Sequence, residues 1–235
     1  MTFSLDGPGG DFLLARKRKD LTRLIYEIFP DLSSLRHALS KQQVWQPEEN
    51  KKTAAFIPKA LANRILRKKG SGYYSFNNVA RSYLLGAWLE EFIALALYEA
   101  ECEDIRFSQH IIWQASTDAS THANEIDAMA IAGKSRILVS CKAVAEDILE
   151  KRKGEERLFD ALLELSYWNA HFGGDNGIPI FVTTADFYDE ARQSFRSSKL
   201  VERANVLGIK VMPADFGNYE SFVLRLKSFL KKHTI

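Results

Sequence analysis

Glu125 and Asp127 stand two residues apart in Asn124-Glu125-Ile126-Asp127-Ala128-Met129-Ala130-Ile131. Ser140 and Lys142 stand two apart at the end of Arg136-Ile137-Leu138-Val139-Ser140-Cys141-Lys142. Side chains alternate along a strand, so the first stretch puts Ile126, Ala128 and Ala130 on one face and both carboxylates on the other. Gly133-Lys134 between them suits a two-residue hairpin turn that pairs Ala132 with Ser135. That register sets Asp127 opposite Ser140 and Glu125 opposite Lys142, all on one face. Two carboxylates so placed repel unless something positive lies between them. The grouping reads as a metal site with an adjacent ammonium, or as a cross-strand ion pair of small worth.

Further elements must position these groups. Val79 to Glu99 reads as a long helix with two apolar faces, one built on Leu84, Trp88, Phe92 and Leu95, the other on Leu85, Leu89 and Ile93. Glu90 lies on the strip between them, with the small residues Gly86 and Ala94 one turn away, which leaves its carboxylate bare. Glu91 sits between Ala87 and Leu95. Strands follow at 104–115 and 124–131, joined by a polar loop from Ser116 to Ala123. A helix at 155–171 carries Glu156, Asp160 and Glu164 on one stripe, the pattern of a solvated helix face. A buried strand at 178–184, a helix ending near Leu207-Gly208, a strand at 209–212 and a helix at 219–232 complete the series. His110, His122 and His171 show no metal-ligand spacing, although His171 precedes a glycine loop beside the proposed site. Cys141, Trp88 and Trp168 read as packing residues.

The chain holds 32 Lys+Arg against 30 Asp+Glu, and this balance hides an asymmetry. Residues 1–75 carry 14 basic and 7 acidic side chains. Helices are expected at 11–29 and 31–43, the second capped by Asp31, and at 57–69, ending in Arg67-Lys68-Lys69 before Gly70. The basic surplus is either a solvated helical face or a polyanion contact made by Arg16, Lys17, Arg18, Lys19, Arg67, Lys68 and Lys69. An internal boundary is placed in Gly70–Asn78, giving a basic helical region over 1–75 and an α/β domain over 76–235. Two cysteines cannot form a disulfide framework and point to a reducing, cytoplasmic setting. No apolar run reaches the ~20 residues of a membrane span, and the N-terminus lacks a secretory signal.

A helix Glu, a strand Asp and a strand ending in Lys, in that order, resemble the PD-(D/E)xK nuclease core. Gly86-Ala87-Trp88-Leu89-Glu90, Asn124-Glu125-Ile126-Asp127, Val139-Ser140-Cys141-Lys142 and the helix running into Phe172-Gly173-Gly174 are similar to one branch of it. That branch is the nuclease domain of CRISPR-associated nucleases activated by cyclic oligoadenylate, and the likeness covers residues 80–215. The resemblance implies a restriction-endonuclease-like mixed sheet flanked by helices, here preceded by a small helical region. It implies Glu90 as first acid, Asp127 as metal-binding acid and Lys142 as the motif lysine. It further implies one or two Mg²⁺ or Mn²⁺ ions, hydrolysis of phosphodiesters in DNA, RNA or both, and a homodimer; the expected role is in CRISPR or anti-phage (antiviral) defence or in DNA processing.

Two departures shape the expectation. Ser140 stands where the motif has an acid, which leaves the site one carboxylate short; Glu125 is the first replacement and Asp160 the second. The helical pattern before Glu90 differs from the branch's ligand-sensing domain, so cyclic oligoadenylate is not expected as a ligand. The alternative is an inactive nucleic-acid-binding or assembly module on a degenerate nuclease fold.

Overall fold

The computed structural model describes residues 2–41, 44–48, 50–114, 122–214 and 218–234. A six-stranded sheet is built, in spatial order, from β1 (Thr2–Asp6), β4 (Glu103–Gln114), β5 (His122–Ala132), β6 (Ser135–Lys142), β7 (Ile178–Thr183) and β10 (Lys210–Pro213). Between β7 and β10 in the chain, the short strands β8 (Tyr188–Asp189) and β9 (Ser194–Phe195) pair with each other apart from it. β1, β4, β5 and β6 are antiparallel neighbours, whereas β6, β7 and β10 run parallel. Every residue of β7 is buried, the pattern of a strand covered on both faces. The architecture is mixed α/β, a sheet between two helical layers.

One layer holds α6 (Trp88–Glu99), α9 (Tyr219–His233) and the N-terminal helices α1 (Phe12–Lys17) and α2 (Lys19–Ile28). It shares a hydrophobic cluster with Ala128, Ala130, Val139 and Ile180 of the sheet. The other holds α7 (Arg152–Phe172) and α8 (Ser198–Val206) over Ile126, Met129, Leu138 and Phe181. The helical segment before residue 75 is therefore tied to the sheet twice: β1 pairs with β4, and Leu21, Ile25 and Tyr26 of α2 enter the core of α6. β1 has no counterpart in the sequence reading, because a short edge strand is defined by a partner more than 100 residues away.

Three local differences have physical reasons. The helix expected at 57–69 is α4 (Lys51–Ala62), begun by a capping box on Asn50 and Thr53. Arg64, at φ 59°, ends it in the left-handed conformation usually taken by glycine, with Ile65 N–H bonded to Ala60 C=O at 2.8 Å. Arg67-Lys68-Lys69 consequently lies on β2 (Arg67–Gly70), the exposed first strand of a hairpin with β3 (Tyr73–Ser75). Asp31 does not cap a helix; it lies inside a 3₁₀ turn, Phe29–Leu32, that leads into α3 (Ser33–Ser40). The expected helix from residue 79 contains a π-type turn at Tyr83–Ala87, between α5 (Asn78–Ser82) and α6. The widened turn shifts the helical phase, so Leu85, placed by periodicity on a buried face, is 38% exposed. The loop from residue 116 lies outside the described residues as far as 121; His122 and Ala123 begin β5. The expected helix at 31–43 likewise extends beyond the described residues at 42 and 43.

The two neighbouring acids of α6 separate sharply. Glu91 is fully buried and bonded through Oε2 to Arg18, whose Nε lies at 2.7 Å. Its Oε1 accepts from Thr22, and Thr22 Oγ1 is 2.8 Å from the Tyr83 hydroxyl. The Arg18 guanidinium also lies 4.1 Å from the Tyr83 ring centroid. Burial, reinforced by the Glu91 charge, pushes the Tyr83 hydroxyl well above the usual tyrosine range. Arg18 thus joins the N-terminal helices to α6, while Arg16, Lys17 and Lys19 remain exposed.

Candidate active site

The hairpin register follows the turn as expected. Gly133 takes φ 59°, Ala132 pairs with Ser135, and pairing continues to Ala128 opposite Val139. There the ladder between β5 and β6 stops. Asp127 Oδ2 accepts the backbone N–H of Cys141 at 2.6 Å, filling a ladder position with a side chain. The same oxygen accepts from Lys142 Nζ at 3.1 Å and from Ser140 Oγ at 3.3 Å. Asp127, Ser140 and Lys142 are therefore assembled, and Cys141 contributes through its backbone. Its thiol is buried and pushed well above the usual range, first by desolvation and then by the charges of Asp127 and Glu90.

The simple alternation along β5 breaks at this point. Ile126 packs under α7, whereas Ala128 and Ala130 pack under α6. Across the ladder, Phe107 pairs with Ala128 and Gln109 with Ile126, which leaves Ser108 opposite Asp127. Ser108 has φ 44°, left-handed backbone inside a strand. Its hydroxyl donates to Glu90 Oε2 at 2.6 Å, bringing the α6 acid to the switch point. Sequence reasoning missed Ser108, since no local pattern announces a left-handed serine. Ser108→Gly and Ser108→Ala both remove the hydroxyl and differ at the strained Cβ. The glycine variant is expected to be more stable than the alanine variant by about 1 kcal/mol in urea unfolding. Equal stabilities would mean that the strain is absent.

Glu90 is pushed up to about 7, chiefly by burial, with the charges of Asp127 and Glu125 adding to it; the Ser108 hydrogen bond and Lys142 act the other way. Lys142 is held above its ordinary range although burial works against its charge, because the Asp127 charge and hydrogen bond outweigh that penalty. A raised carboxyl retains a proton in the folded protein that the unfolded chain has released. The metal-free protein should therefore lose stability as pH rises from about 4.5 to about 7, with the loss complete above that. Glu90→Gln removes this contribution. Its stability relative to the parent should increase between pH 5 and 8 in denaturant titrations with chelator; a constant difference would contradict it.

A cleft of about 300 Å³ opens beside this cluster, lined by Glu125, Asp127, Ser140, Lys142, Glu164 and Trp168. Glu125 reaches it, with Oε2 3.8 Å from His110 Nε2. Asp160 does not line it. Glu164, one turn further along α7, takes that place, accepting from Asn124 Nδ2 at 3.3 Å and Trp168 Nε1 at 3.4 Å. The acidic stripe lies on this helix face, and the position of α7 along its axis brings its third member to the cleft. Trp168 both packs and borders the cleft; His171 contacts Tyr167 at 4.4 Å and is not among the lining residues. Trp88 is a fully buried packing residue.

Oxygen donors of this kind suit Mg²⁺ or Mn²⁺. Among the described residues no three His, Cys, Asp or Glu side chains converge closely enough to form a ready ligand cage. Mg²⁺ does not require one, since it commonly keeps several waters and uses one or two carboxylates plus substrate phosphate. Glu90, raised chiefly by burial and further by the charges of Asp127 and Glu125, is a group whose charge a nearby cation would favour. The cleft carboxylates of Glu125, Asp127 and Glu164 are oxygen donors of the type such an ion takes.

Fold and cleft together define a mixed α/β protein with an acid-and-lysine pocket where two strands of its sheet part. No family model matches the sequence, and no curated protein matches it. The architecture is shared by several solved structures, including these two. Protein VC1899 from Vibrio cholerae is 14% identical, with a TM-score of 0.67 over 99% of this chain and 59% of that one. Can2 from Sulfobacillus thermosulfidooxidans, determined in complex with cyclic tetra-adenylate, is 13% identical, with a TM-score of 0.59 over 98% of this chain and 58% of that one. The chain thus spans about three fifths of the length of either structure. At such identities the likeness establishes the fold. Among the described residues, no helix is long and apolar enough to cross a membrane.

Proposed function

We propose that this chain is a PD-(D/E)xK-type nuclease that hydrolyses phosphodiester bonds in nucleic acid with Mg²⁺ or Mn²⁺, in antiviral defence. The observation that carries the reading is Asp127, bonded to Lys142 and electrostatically coupled to Glu90, beside an open cleft. Asp127 and Glu90 would hold the ion, with Glu125 and Glu164 at the cleft as further oxygen donors. A bound ion would lower the pKa of a coordinated water and offset charge on the scissile phosphate. Lys142 keeps its proton, so its role is to orient the attacking water or to stabilise developing negative charge. Ser140 donates to Asp127 instead of supplying a carboxylate. Arg16, Lys17, Lys19 and the exposed Arg67, Lys68 and Lys69 of the β2–β3 hairpin would contact backbone phosphates. Arg18 is directed to Glu91.

The lack of a preformed three-ligand cage among the described residues favours one second reading, a nucleic-acid-binding module without catalysis. Metal-dependent melting separates the two. The proposal expects Mn²⁺ at 100 times its Kd to stabilise the protein by about 2.7 kcal/mol. Asp127→Ala should lose that response relative to its own metal-free melting point. An unchanged response in the variant would remove Asp127 from the metal site.

A further inference from the structure

A row of aromatic rings in mutual contact runs past the cleft. Trp113 of β4 pairs with His122 of β5, and their rings stack with centroids 4.6 Å apart and planes 27° from parallel. Trp113 meets Trp168 of α7 edge-on at 5.8 Å, Trp168 meets Tyr167 at 5.1 Å, and Tyr167 meets His171 at 4.4 Å. Phe172 stacks beneath Trp168 at 5.1 Å and 12°, which fixes the centre of the row. The row lies on the cleft's side of the sheet. Ile111 pairs with Asn124 and packs under α7; Trp113 and His122 stand two residues from them along the same strands, and side chains two apart share a face. Asn124 and Trp168 themselves line the cleft. On α7, Tyr167 and His171 follow the cleft's Glu164 by three and seven residues, which keeps them on the same side of the helix.

Packing does not use up this row. Trp168 is buried and Trp113 half-buried, but Tyr167 is 41% exposed, and His122 and His171 are exposed as well. The rings therefore start in the core and reach solvent on both walls of the cleft. The charge of the cleft points to what they would meet there. Its lining holds three carboxylates, Glu125, Asp127 and Glu164, against one cation, Lys142. Phosphates gain little attraction from such a set, so uncharged contact with the faces of bases is better suited to hold a nucleic acid beside it. Every base has a face that stacks on an aromatic ring, whereas bases within a duplex are already stacked on their neighbours.

We infer that Tyr167 and His122, carried on the Trp113–Trp168 platform, stack unpaired bases of the nucleic acid beside the cleft. The inference rests on the nuclease reading for its ligand, and its test needs no catalysis. Binding of a fluorescent 20-nucleotide single-stranded DNA is followed by anisotropy in chelator. Tyr167→Ala and His122→Ala should each weaken it about 5- to 150-fold, the range for loss of one stacked base. Tyr167→Ala should leave the log–log salt slope unchanged, because no charge is removed. Tyr167→Phe keeps the ring and should bind as the parent does. An abasic strand of the same length should bind equally to parent and alanine variants. Parent-like binding of the normal strand by either alanine variant overturns the inference, as does an equal loss on the abasic strand. Ring-dependent binding without any hydrolysis by the parent in Mn²⁺ would leave the platform standing and remove the nuclease reading. Hydrolysis by the parent together with ring-independent binding would do the reverse.

Discussion

Arg18→Ala is expected to cost about 3–5 kcal/mol of unfolding free energy, the largest stability effect of any single surface-to-core contact described above. Glu91 has no exposed side-chain area, so removing its cation leaves a carboxylate that must stay charged in the core or take up a proton. In a protein of this size that corresponds to a fall in Tm of roughly 6–20 °C. Replacing both partners with methionine should recover most of the loss, because the charge that needs compensation is gone. Thr22 and Tyr83 can then satisfy each other across the 2.8 Å that already separates them. Denaturant unfolding of the two single variants and the double variant measures this directly. A single-variant cost below about 1 kcal/mol would place the pair among ordinary surface ion pairs.

Lys142→Ala is expected to lower the rate of phosphodiester hydrolysis by about 10²–10³, the usual effect of removing one preorganised electrostatic group. The fold should survive the change, since Asp127 keeps the Cys141 N–H and the Ser140 hydroxyl. Lys142→Arg should rescue poorly. A planar guanidinium is larger than an ammonium and directs its donors differently, and the side chain sits three-quarters buried beside Asp127. Single-turnover rates with parent-like unfolding curves would establish the effect. Full activity in Lys142→Ala would exclude a role for the ammonium in the reaction.

The sequence exposes the part of the site that depends on local rules. A glycine turn fixes the β5–β6 register, and the two-residue spacings then deliver Asp127, Ser140 and Lys142 to one another. Gly208, left-handed at φ 66°, likewise ends α8 where the Leu207-Gly208 signal places it. The rest depends on distant partners or on residues in unusual conformations. Arg64 ends a helix in a glycine-like conformation, which turns the basic triplet from a helix end into a strand. Glu91 gains its partner 73 residues away, so the sequence does not reveal which of the two adjacent glutamates is structural. Ser108 reaches Glu90 through a left-handed backbone that periodicity does not encode. Glu164 displaces Asp160 at the cleft because the packing of α7 sets which turn of an acidic stripe faces inward.

The proposed function makes this cleft, through Asp127, Glu90 and Lys142, a metal-dependent phosphodiesterase. Its most direct measurement is cleavage of end-labelled DNA and RNA oligonucleotides with Mn²⁺, comparing the parent protein with Asp127→Asn purified identically. The parent should cut at least one of them, activity should stop when chelator replaces the metal, and Asp127→Asn should be inactive while remaining folded. Cleavage at the parent rate by Asp127→Asn, or none by the parent on any substrate, would contradict the claim.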